Sequence, residues 1–393
     1  MFDKLLLLSH GHTAYSGPIK DVQSYFDSCS YPIPLYMNPA EFIIDFVNTD
    51  FARDRTEVRN QLEMITSTWQ KSGLHAEKLA DIARELSHGD MNPEKTQNND
   101  DVGASALNIV LALIHRSFIK SYRDIIAYGI RIAMYMGLAI MMGTVWLRLD
   151  ASQENLQSFT NAIFFGGAFM SFMAVAYIPA FLEDRATFIK ERANGLYGPT
   201  SFLISNFITG LPYLFIITMI FSVVVYWLSN FRSSADGFWS WVMWLFLDLV
   251  AAESLVVFIT SVIPIFVVAL AGTAFANGLW MCTMGFMVRP NDLNPFWRYV
   301  FHYIDYQSYV FEGMMVNEFG YRNYSCTPNA TAPSGCECDY KTDLSAQCLV
   351  PGTALLDTYG YKKGRTGEYV GILLAIILVY RILGWFVLYI RRT

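Results

Sequence analysis

Four of the six cysteines lie within one stretch of 23 residues in the last quarter of the chain. They are Cys326, Cys336, Cys338 and Cys348. Clustered cysteines can hold a metal ion, but this stretch contains neither a C-x-x-C pair nor a histidine. Two N-x-[S/T] sequons, at Asn323 and Asn329, accompany it. Cysteines and sequons together indicate disulfide bonds in an oxidising compartment, and four cysteines leave three pairings open.

Three charged residues lie inside long apolar segments. Asp248 and Glu253 fall near the middle of one segment, and Arg381 falls inside another. Charges within a membrane are costly and are usually paired or face a polar cavity. The two acids are five residues apart, about 140° around a helix, so they cannot share a face. We expect Arg381 to pair with Asp248 or Glu253, with a proton relay as the second interpretation. Arg131 is interpreted as a snorkelling residue.

The composition indicates what kind of protein positions these residues. Hydrophobic residues make up 53% of the chain and charged residues only 16%, against about 25% charged in an ordinary soluble domain. The mean hydropathy is +0.30. A net charge of -6 does not indicate a basic surface that would bind nucleic acid. The first 50 residues are mixed in polarity, so we expect no cleavable signal peptide. The chain is predicted to be a polytopic membrane protein.

Six apolar segments are long enough to cross about 30 Å of hydrocarbon. The predicted spans are 125–147, 158–182, 200–228, 238–262, 264–287 and 369–390. Lys and Arg in the short flanking segments decide orientation. With the amino terminus inside, the inner flanks hold eight such residues and the outer flanks two. The eight are Arg116, Lys120, Arg123, Arg185, Lys190, Arg192, Arg391 and Arg392; the two are Arg148 and Arg232. Both termini are therefore expected to be cytoplasmic, with an outside loop at 288–368.

The sequence before the first span is predicted to form three regions, of which the first is a small α/β unit. Residues 1–50 begin with an apolar strand, Leu5–Leu8, a turn and a second strand, which is typical of a hairpin. Asn38 followed by Pro39 predicts a helix start. Residues 51–104 are predicted to form polar helices followed by a flexible linker from residue 87. In 105–124, apolar residues recur at helical spacing with basic residues opposite, which is typical of an interfacial amphipathic helix. Residues 125–393 would form the membrane domain.

Four stretches resemble the carboxy-terminal part of an ABC transporter of the G subfamily, the white-type half-transporters. The opening FDKLLLLSHGHTAYSGP resembles the last strands of that family's nucleotide-binding domain, and NPAEFIIDFV resembles its Asn-Pro-Ala-[Asp/Glu]-Phe segment. FIKERANGLYGPTSFLISNFITGLP resembles the loop between spans two and three. GFMVRPNDLNPFWRYVFHYIDYQSYVFEGMMVNEF resembles the start of the outside loop. The resemblance implies an all-α, six-span G-type exporter fold with a small α/β remnant at the amino terminus.

The ATPase motifs of that family are absent from this sequence. There is no G-x-x-x-x-G-K-[S/T] phosphate loop, signature motif or Walker B strand. His10 and His12 fall in the predicted hairpin turn, after the position of the family's switch histidine. The chain as given is therefore not expected to hydrolyse ATP and has no predicted catalytic, cofactor or metal residue. ATP and Mg²⁺ would bind through a nucleotide-binding domain that lies elsewhere.

The resemblance also implies roles for particular residues. The substrate path would involve Phe172, Asn277, Gly278 and Met281. A bulky apolar plug on the outside would be formed by Phe286 and Met287. The loop between spans two and three would couple to the nucleotide-binding domain through Glu183, Asp184, Arg185, Lys190, Glu191 and Arg192. Cys326 and Cys348 occupy the places of a family disulfide, which leaves Cys336 and Cys338 to bond elsewhere. Asn329 is the better glycosylation site by analogy, and Asn323 the poorer.

The expected function is therefore the membrane half of an ATP-driven exporter. A six-span half needs a second G-type half-transporter, identical or different, because the path forms between two copies. Its cargo would be a lipophilic compound, a sterol or another lipid, and its location a membrane, with the plasma membrane expected. The alternative is a degenerate, non-hydrolysing subunit that regulates a complete half-transporter. An unrelated channel or receptor is disfavoured by the four matched stretches.

Overall fold

A computed structural model describes residues 3–34, 36–48, 55–88, 105–123, 125–328, 336–340 and 343–391. The chain divides into two units, residues 1–103 and residues 104–393. Residues 89–104 of the predicted linker lie outside the described residues, as does the sequon asparagine Asn329.

The described residues of the first unit form a β-hairpin and four α-helices. The hairpin pairs β1, Lys4–Ser9, with β2, His12–Pro18, and its turn residues His10 and Gly11 both have positive φ, as the favoured two-residue turns require. The helices are α1 (Val22–Ser28), α2 (Pro39–Val47), α3 (Arg55–Lys71) and α4 (Gly73–His88). The Asn38 side chain accepts a hydrogen bond from the Ala40 amide and caps α2, as the sequence predicts.

Aromatic residues form the core of this unit. Tyr15, Phe26 and Trp69 are buried, and the Tyr15 ring lies 5.7 Å from the Trp69 ring. In the predicted apolar strand, Leu7 is buried, whereas Leu6 and Leu8 are more than half exposed. This alternation follows from the period of two along a strand, since one face of the hairpin packs on the helices and the other does not.

In the second unit, the part of the chain that the structure describes forms ten α-helices and short strands. The helices are α5 (Ala106–Arg123), α6 (Ile125–Val145), α7 (Leu156–Met173), α8 (Ile178–Ala193), α9 (Pro199–Leu228), α10 (Ala235–Val262), α11 (Phe266–Thr283), α12 (Tyr306–Phe319), α13 (Thr353–Tyr359) and α14 (Thr366–Ile390). Among the described residues, five helical segments are long and apolar enough to cross a membrane. They are Gln153–Ala193, Pro199–Leu228, Ala235–Val262, Phe266–Thr283 and Thr366–Ile390. The predicted first span coincides with α6, whose described apolar part, Gly129–Val145, is shorter. The predicted fold class is confirmed: the chain is a mostly helical membrane protein with a small strand region at its start.

Helix α10 forms the centre of the second unit. Its apolar residues are distributed around its whole circumference, which is typical of a helix enclosed by others, and it packs against α7, α9, α12 and α14. Trp241 and Trp244 fill the space between α10 and its neighbours. Gly313 of α12 lies so close to Trp244 that a Cβ atom there would be 2.3 Å from the indole ring. The core is therefore tightly packed at this crossing.

The predicted second span differs from the observed helix in two ways. A four-residue 3₁₀ turn, Ala174–Tyr177, separates α7 from α8 within the apolar segment. In addition, the charged segment that follows the predicted span is helical and continuous with it, since α8 runs to Ala193 without a break. The segment has no residue that breaks a helix before Gly195, which has a positive φ of 74°.

Helix α5 packs along α9. The face of α5 that makes this contact is not the apolar face that its sequence pattern predicts. Leu113 is buried, whereas Leu107, Leu111 and Phe118, which belong to the apolar residues that recur at helical spacing, are exposed. The helix therefore has a packed side and a separate exposed apolar side. The exposed side is the one that an interfacial position would place against lipid.

The region from 288 to 368 contains a π-turn (Trp297–His302), α12, α13 and short antiparallel strand pairs. β3 (Asn323–Ser325) pairs with β6 (Leu349–Pro351), and β4 (Thr327–Pro328) pairs with β5 (Cys336–Glu337). Asn323 is exposed on β3. Glu318 anchors the region to the helices: its carboxylate accepts from the Arg232 amide at 2.8 Å and from the Arg322 guanidinium at 2.7 Å. Burial outweighs these hydrogen bonds and raises the pKa of Glu318.

The predicted Cys326–Cys348 disulfide is wrong. The structure bonds Cys326 to Cys338 and Cys336 to Cys348, with Cα atoms 4.9 and 5.7 Å apart. The pairing follows the strand register, because Thr327 lies opposite Glu337 and the preceding residue therefore lies opposite Cys338. Cys326 still contacts Cys348, but through its amide, which donates to the Cys348 carbonyl at 2.9 Å.

Candidate functional site

Ion pairs join α5 to the charged end of α8. Lys120 Nζ lies 2.7 Å from Asp184 Oδ1 and 3.1 Å from Glu183 Oε1. Four residues earlier on α5, Arg116 pairs with Glu191. These five residues are called the α5–α8 charged contact below.

The spacing of these residues explains why the contact forms. Arg116 and Lys120 are four residues apart and share one face of α5, while Asp184 and Glu191 are seven apart and share one face of α8. The hydroxyl of Tyr197 donates to the second Glu191 oxygen and fixes the carboxylate. Burial lowers the pKa of Lys120, but its hydrogen bonds to the two carboxylates outweigh burial, so the pKa is raised and the ammonium stays charged.

The other charged residues predicted for coupling have different surroundings. Arg192 donates to the carbonyl oxygens of Leu388 and Tyr389, at 2.5 and 3.2 Å, in the last turn of α14. Carbonyl groups in the last turn of a helix generally lack partners within the helix, and a cation there is favourable. Arg185 is buried, and Lys190 is exposed. The charged end of α8 therefore contacts α5 on one side and the end of α14 on another.

The residues predicted to line the substrate path do not form one surface within the chain. Asn277 is buried; its carbonyl oxygen accepts from the Tyr306 hydroxyl at 2.9 Å. A Cβ atom on Gly278 would meet no atom within 4 Å. Phe172 and Met281 are half-buried. Gly278 thus faces open space, whereas Asn277 faces the interior of the bundle.

Asn277 belongs to a buried polar cluster. Its amide lies 3.5 Å from the Ser171 carbonyl, and the Ser171 hydroxyl donates to Asp248 Oδ2 at 2.7 Å. Asp305 is also fully buried and accepts from the Thr283 hydroxyl at 3.1 Å. Sequence reasoning missed Asp305. The available signal was an acidic residue immediately before Tyr306, the first residue of α12. Helix α12 is shorter than a membrane span, so no charge inside a predicted span drew attention to it.

The two residues predicted to form an outer plug differ in their packing. The Phe286 ring stacks on Phe164, with centroids 4.0 Å apart and planes 17° apart, and meets Phe311 edge-on at 6.0 Å. Met287 is 59% exposed. The preceding Gly285 has a φ of 108°, a conformation that glycine adopts readily. A Cβ there would lie 2.7 Å from the Tyr361 hydroxyl, so this turn accepts no larger residue.

The predicted pairing of Arg381 with Asp248 or Glu253 is wrong. Glu253 pairs instead with Arg131, whose guanidinium also lies 5.1 Å from the centre of the Tyr177 ring. The interpretation of Arg131 as a snorkelling residue is wrong as well, because only 6% of its side chain is exposed. Arg381 contacts neutral groups, as described below. The misassignment arose because sequence gives no information on which helix faces turn toward α10.

Comparison with known families identifies the chain. Residues 109–319 match the ABC-2 type transporter family, and residues 1–119 match a second family with the same description. The first match covers more than half of the chain. The chain belongs to the ABC-2 type transporters.

Curated relatives of this ABC-2 chain are members of the ABC transporter G family, as the sequence resemblance predicts. ABC transporter G family member 1 of Petunia hybrida is 30% identical over 330 residues, which cover 81% of this chain and 51% of the relative. Member 11 of Arabidopsis thaliana is 28% identical over 338 residues, covering 81% and 48%. Member 5 of Arabidopsis thaliana is 26% identical over 405 residues, covering 99% and 60%. The chain spans about half the length of the relatives that it matches.

Proposed function

We propose that this ABC-2 chain is the membrane-spanning part of an ATP-driven G-type exporter that works as a dimer on lipophilic compounds, sterols or lipids. The α5–α8 charged contact carries the proposal. It holds the charged end of α8, and ion pairs link that end to a second helix. Such an end can receive movement from another domain and pass it to the bundle.

ATP and Mg²⁺ would act through a nucleotide-binding domain, which the greater length of the relatives leaves room for. Closure of two such domains would push on the charged end of α8. The Arg116 and Lys120 pairs would then move α5, and Arg192 would move the end of α14. In this proposal the charged end faces the cytoplasm, and the Lys and Arg distribution supports that orientation. The disulfide region would then face outward, and the membrane would be the plasma membrane.

Substrate would pass between two copies, along the exposed side of α11. Gly278 faces open space there, which supports its predicted place on the path. Phe286 would close the outer end through its stacked contact with Phe164. Asn277 would act indirectly, by positioning α11 against α12, because both ends of its side chain are directed at protein groups.

The test is ATP-dependent transport by the full chain with a nucleotide-binding domain supplied in the same polypeptide or by a complete G-type partner. Inside-out vesicles would be incubated with labelled sterol, phospholipid or a lipophilic drug added outside. We expect uptake of one of these classes, blocked by vanadate. Absence of ATP-dependent uptake for all three classes would refute the proposal. A chain that alters a partner's transport without being required for it would also refute it and establish the regulatory role.

Coupling is tested separately with Arg116→Gln combined with Glu191→Gln. We expect ATP hydrolysis to persist while transport falls, because the contact lies between the two processes. Arg123→Gln is the matched control, an exposed arginine on the same helix with no part in the contact. Equal transport by the double variant and the control would contradict a coupling role.

A further inference from the structure

An apolar groove runs between α9 and α14 on the surface of the bundle. Its volume is about 560 Å³, within the range of sites that hold small molecules. It is lined by Thr200, Leu203, Ile204, Phe207, Ile208, Leu374, Ile377, Leu378, Arg381, Ile382 and Trp385. At one end the Trp385 indole donates to the Thr200 hydroxyl at 3.0 Å and closes the groove.

Arg381 is the only charged residue among those lining residues. Its Nε donates to the Ser254 hydroxyl at 3.0 Å, and its Nη1 lies 3.4 Å from Asn206 Oδ1. The guanidinium also lies 4.7 Å from the centre of the Phe207 ring. All three partners are neutral, and within the described part of the chain Arg381 forms no ion pair with a carboxylate. The nearby carboxylate of Glu253 acts on Arg381 but is already paired with Arg131, so two arginines share one carboxylate. An excess of positive charge at membrane depth is costly, so an anion would bind favourably here.

The depth of Arg381 restricts which anion can reach it. Helix α14 has 25 residues, about 37 Å of length, against about 30 Å of hydrocarbon. Arg381 precedes the last helical residue, Ile390, by nine positions, or about 13 Å. With the helix centred, its Cα atom lies about 10 Å inside the hydrocarbon. A phospholipid phosphate stays in the headgroup layer, whereas a small carboxylate at the end of one chain can enter.

We propose that the α9–α14 groove binds one long-chain carboxylate, a fatty-acid anion. With Nε donating to Ser254 and one Nη1 hydrogen directed at Asn206, the carboxylate accepts from the remaining N–H groups of Nη1 and Nη2 at the end of the guanidinium. The chain runs from Arg381 toward Leu374, over seven residues or about 10 Å of apolar lining. The site lies on the outer surface of the bundle and does not depend on the proposed transport function.

Photolabelling tests the proposal. The full chain is purified into phosphatidylcholine nanodiscs and exposed to stearic acid that carries a diazirine on its chain. We expect labelled peptides from α9 and α14, with competition by stearate and none by methyl stearate. Loss of one charge-assisted contact predicts about a tenfold drop in labelling for Arg381→Met. Arg381→Lys keeps the charge without the planar fork, and we expect an intermediate value.

Two further variants guard against an effect of misfolding in Arg381→Met. Leu378→Trp fills the groove without touching the guanidinium contacts and should abolish labelling. Val379→Trp is the matched control, since Val379 is also exposed on α14 but does not line the groove. Equal labelling by methyl stearate, or labelling that survives Leu378→Trp, would overturn the proposal. Stronger competition by phosphatidylglycerol than by stearate would also overturn it, in favour of a phospholipid headgroup.

Discussion

The buried Arg131–Glu253 pair gives the sharpest test of the packing of the membrane helices. The two side chains are only 6% and 3% exposed, and they join α6 to the central helix α10. Removing one partner leaves an uncompensated buried charge. In such cases the free energy of unfolding falls by about 3–5 kcal/mol. Arg131→Met and Glu253→Gln should therefore each destabilise the folded bundle by about that amount.

The double variant distinguishes a true pair from two independent losses. Replacing both charges removes the desolvation cost together with the attraction, and such replacements are often close to neutral. Arg131→Met with Glu253→Gln should be less destabilised than either single variant. The interaction energy of the double-mutant cycle should then exceed about 3 kcal/mol.

Equilibrium unfolding in mixed micelles, followed by tryptophan fluorescence, measures all four proteins of the cycle. A second cycle with Arg381→Met and Glu253→Gln provides the comparison. The structure predicts a smaller interaction energy for that cycle, because Arg381 hydrogen-bonds Ser254 and Asn206 instead. Additive losses in the first cycle, or a larger interaction energy in the second, would refute the reasoning.

Three further outcomes follow from contacts described above. Arg116→Gln should lower the free energy of unfolding by less than about 1 kcal/mol, since the pair is partly exposed; a larger loss in the same unfolding assay would contradict this. Cys336→Ser should cost about 3 kcal/mol by the loop-entropy relation, and peptide mapping without reductant should still recover the other disulfide. Gly313→Ala should cost about 1–3 kcal/mol through overpacking on Trp244, whereas Gly278→Ala should be tolerated; equal thermal stability of these two variants would show that the α10–α12 contact is looser than described.

Much of the architecture could be predicted from sequence because its signals are local. The length of an apolar run identifies a candidate span within one segment, and His10-Gly11 between two strand patterns identifies the hairpin. The Asn38 cap depends on only three consecutive residues. For these features the residues that carry the signal are also the residues that form the structure.

The contacts between helices could not be predicted in the same way. Two arginines, Arg131 and Arg381, were available to Glu253, and the choice depends on how each helix is rotated against α10. The same limit applies to the disulfides. Cys326 lies between two strand pairs: continuing β4–β5 places it opposite Cys338, and continuing β3–β6 places it opposite Cys348. Spacing along the chain does not decide which of these two neighbours forms the disulfide, and the three-dimensional arrangement of the loop does.

The 3₁₀ turn at Ala174–Tyr177 fixes the direction in which the charged end of α8 faces. A 3₁₀ residue advances by 120° and 2.0 Å, and an α-helical residue by 100° and 1.5 Å, so four residues differ by about 80° of rotation and 2 Å of length. An uninterrupted α-helix through this segment would carry Asp184 and Glu191 away from α5 by nearly a quarter of a turn. Four uncharged residues inside the apolar segment therefore determine the direction, around the helix axis, in which the acidic residues of α8 face α5 several turns away.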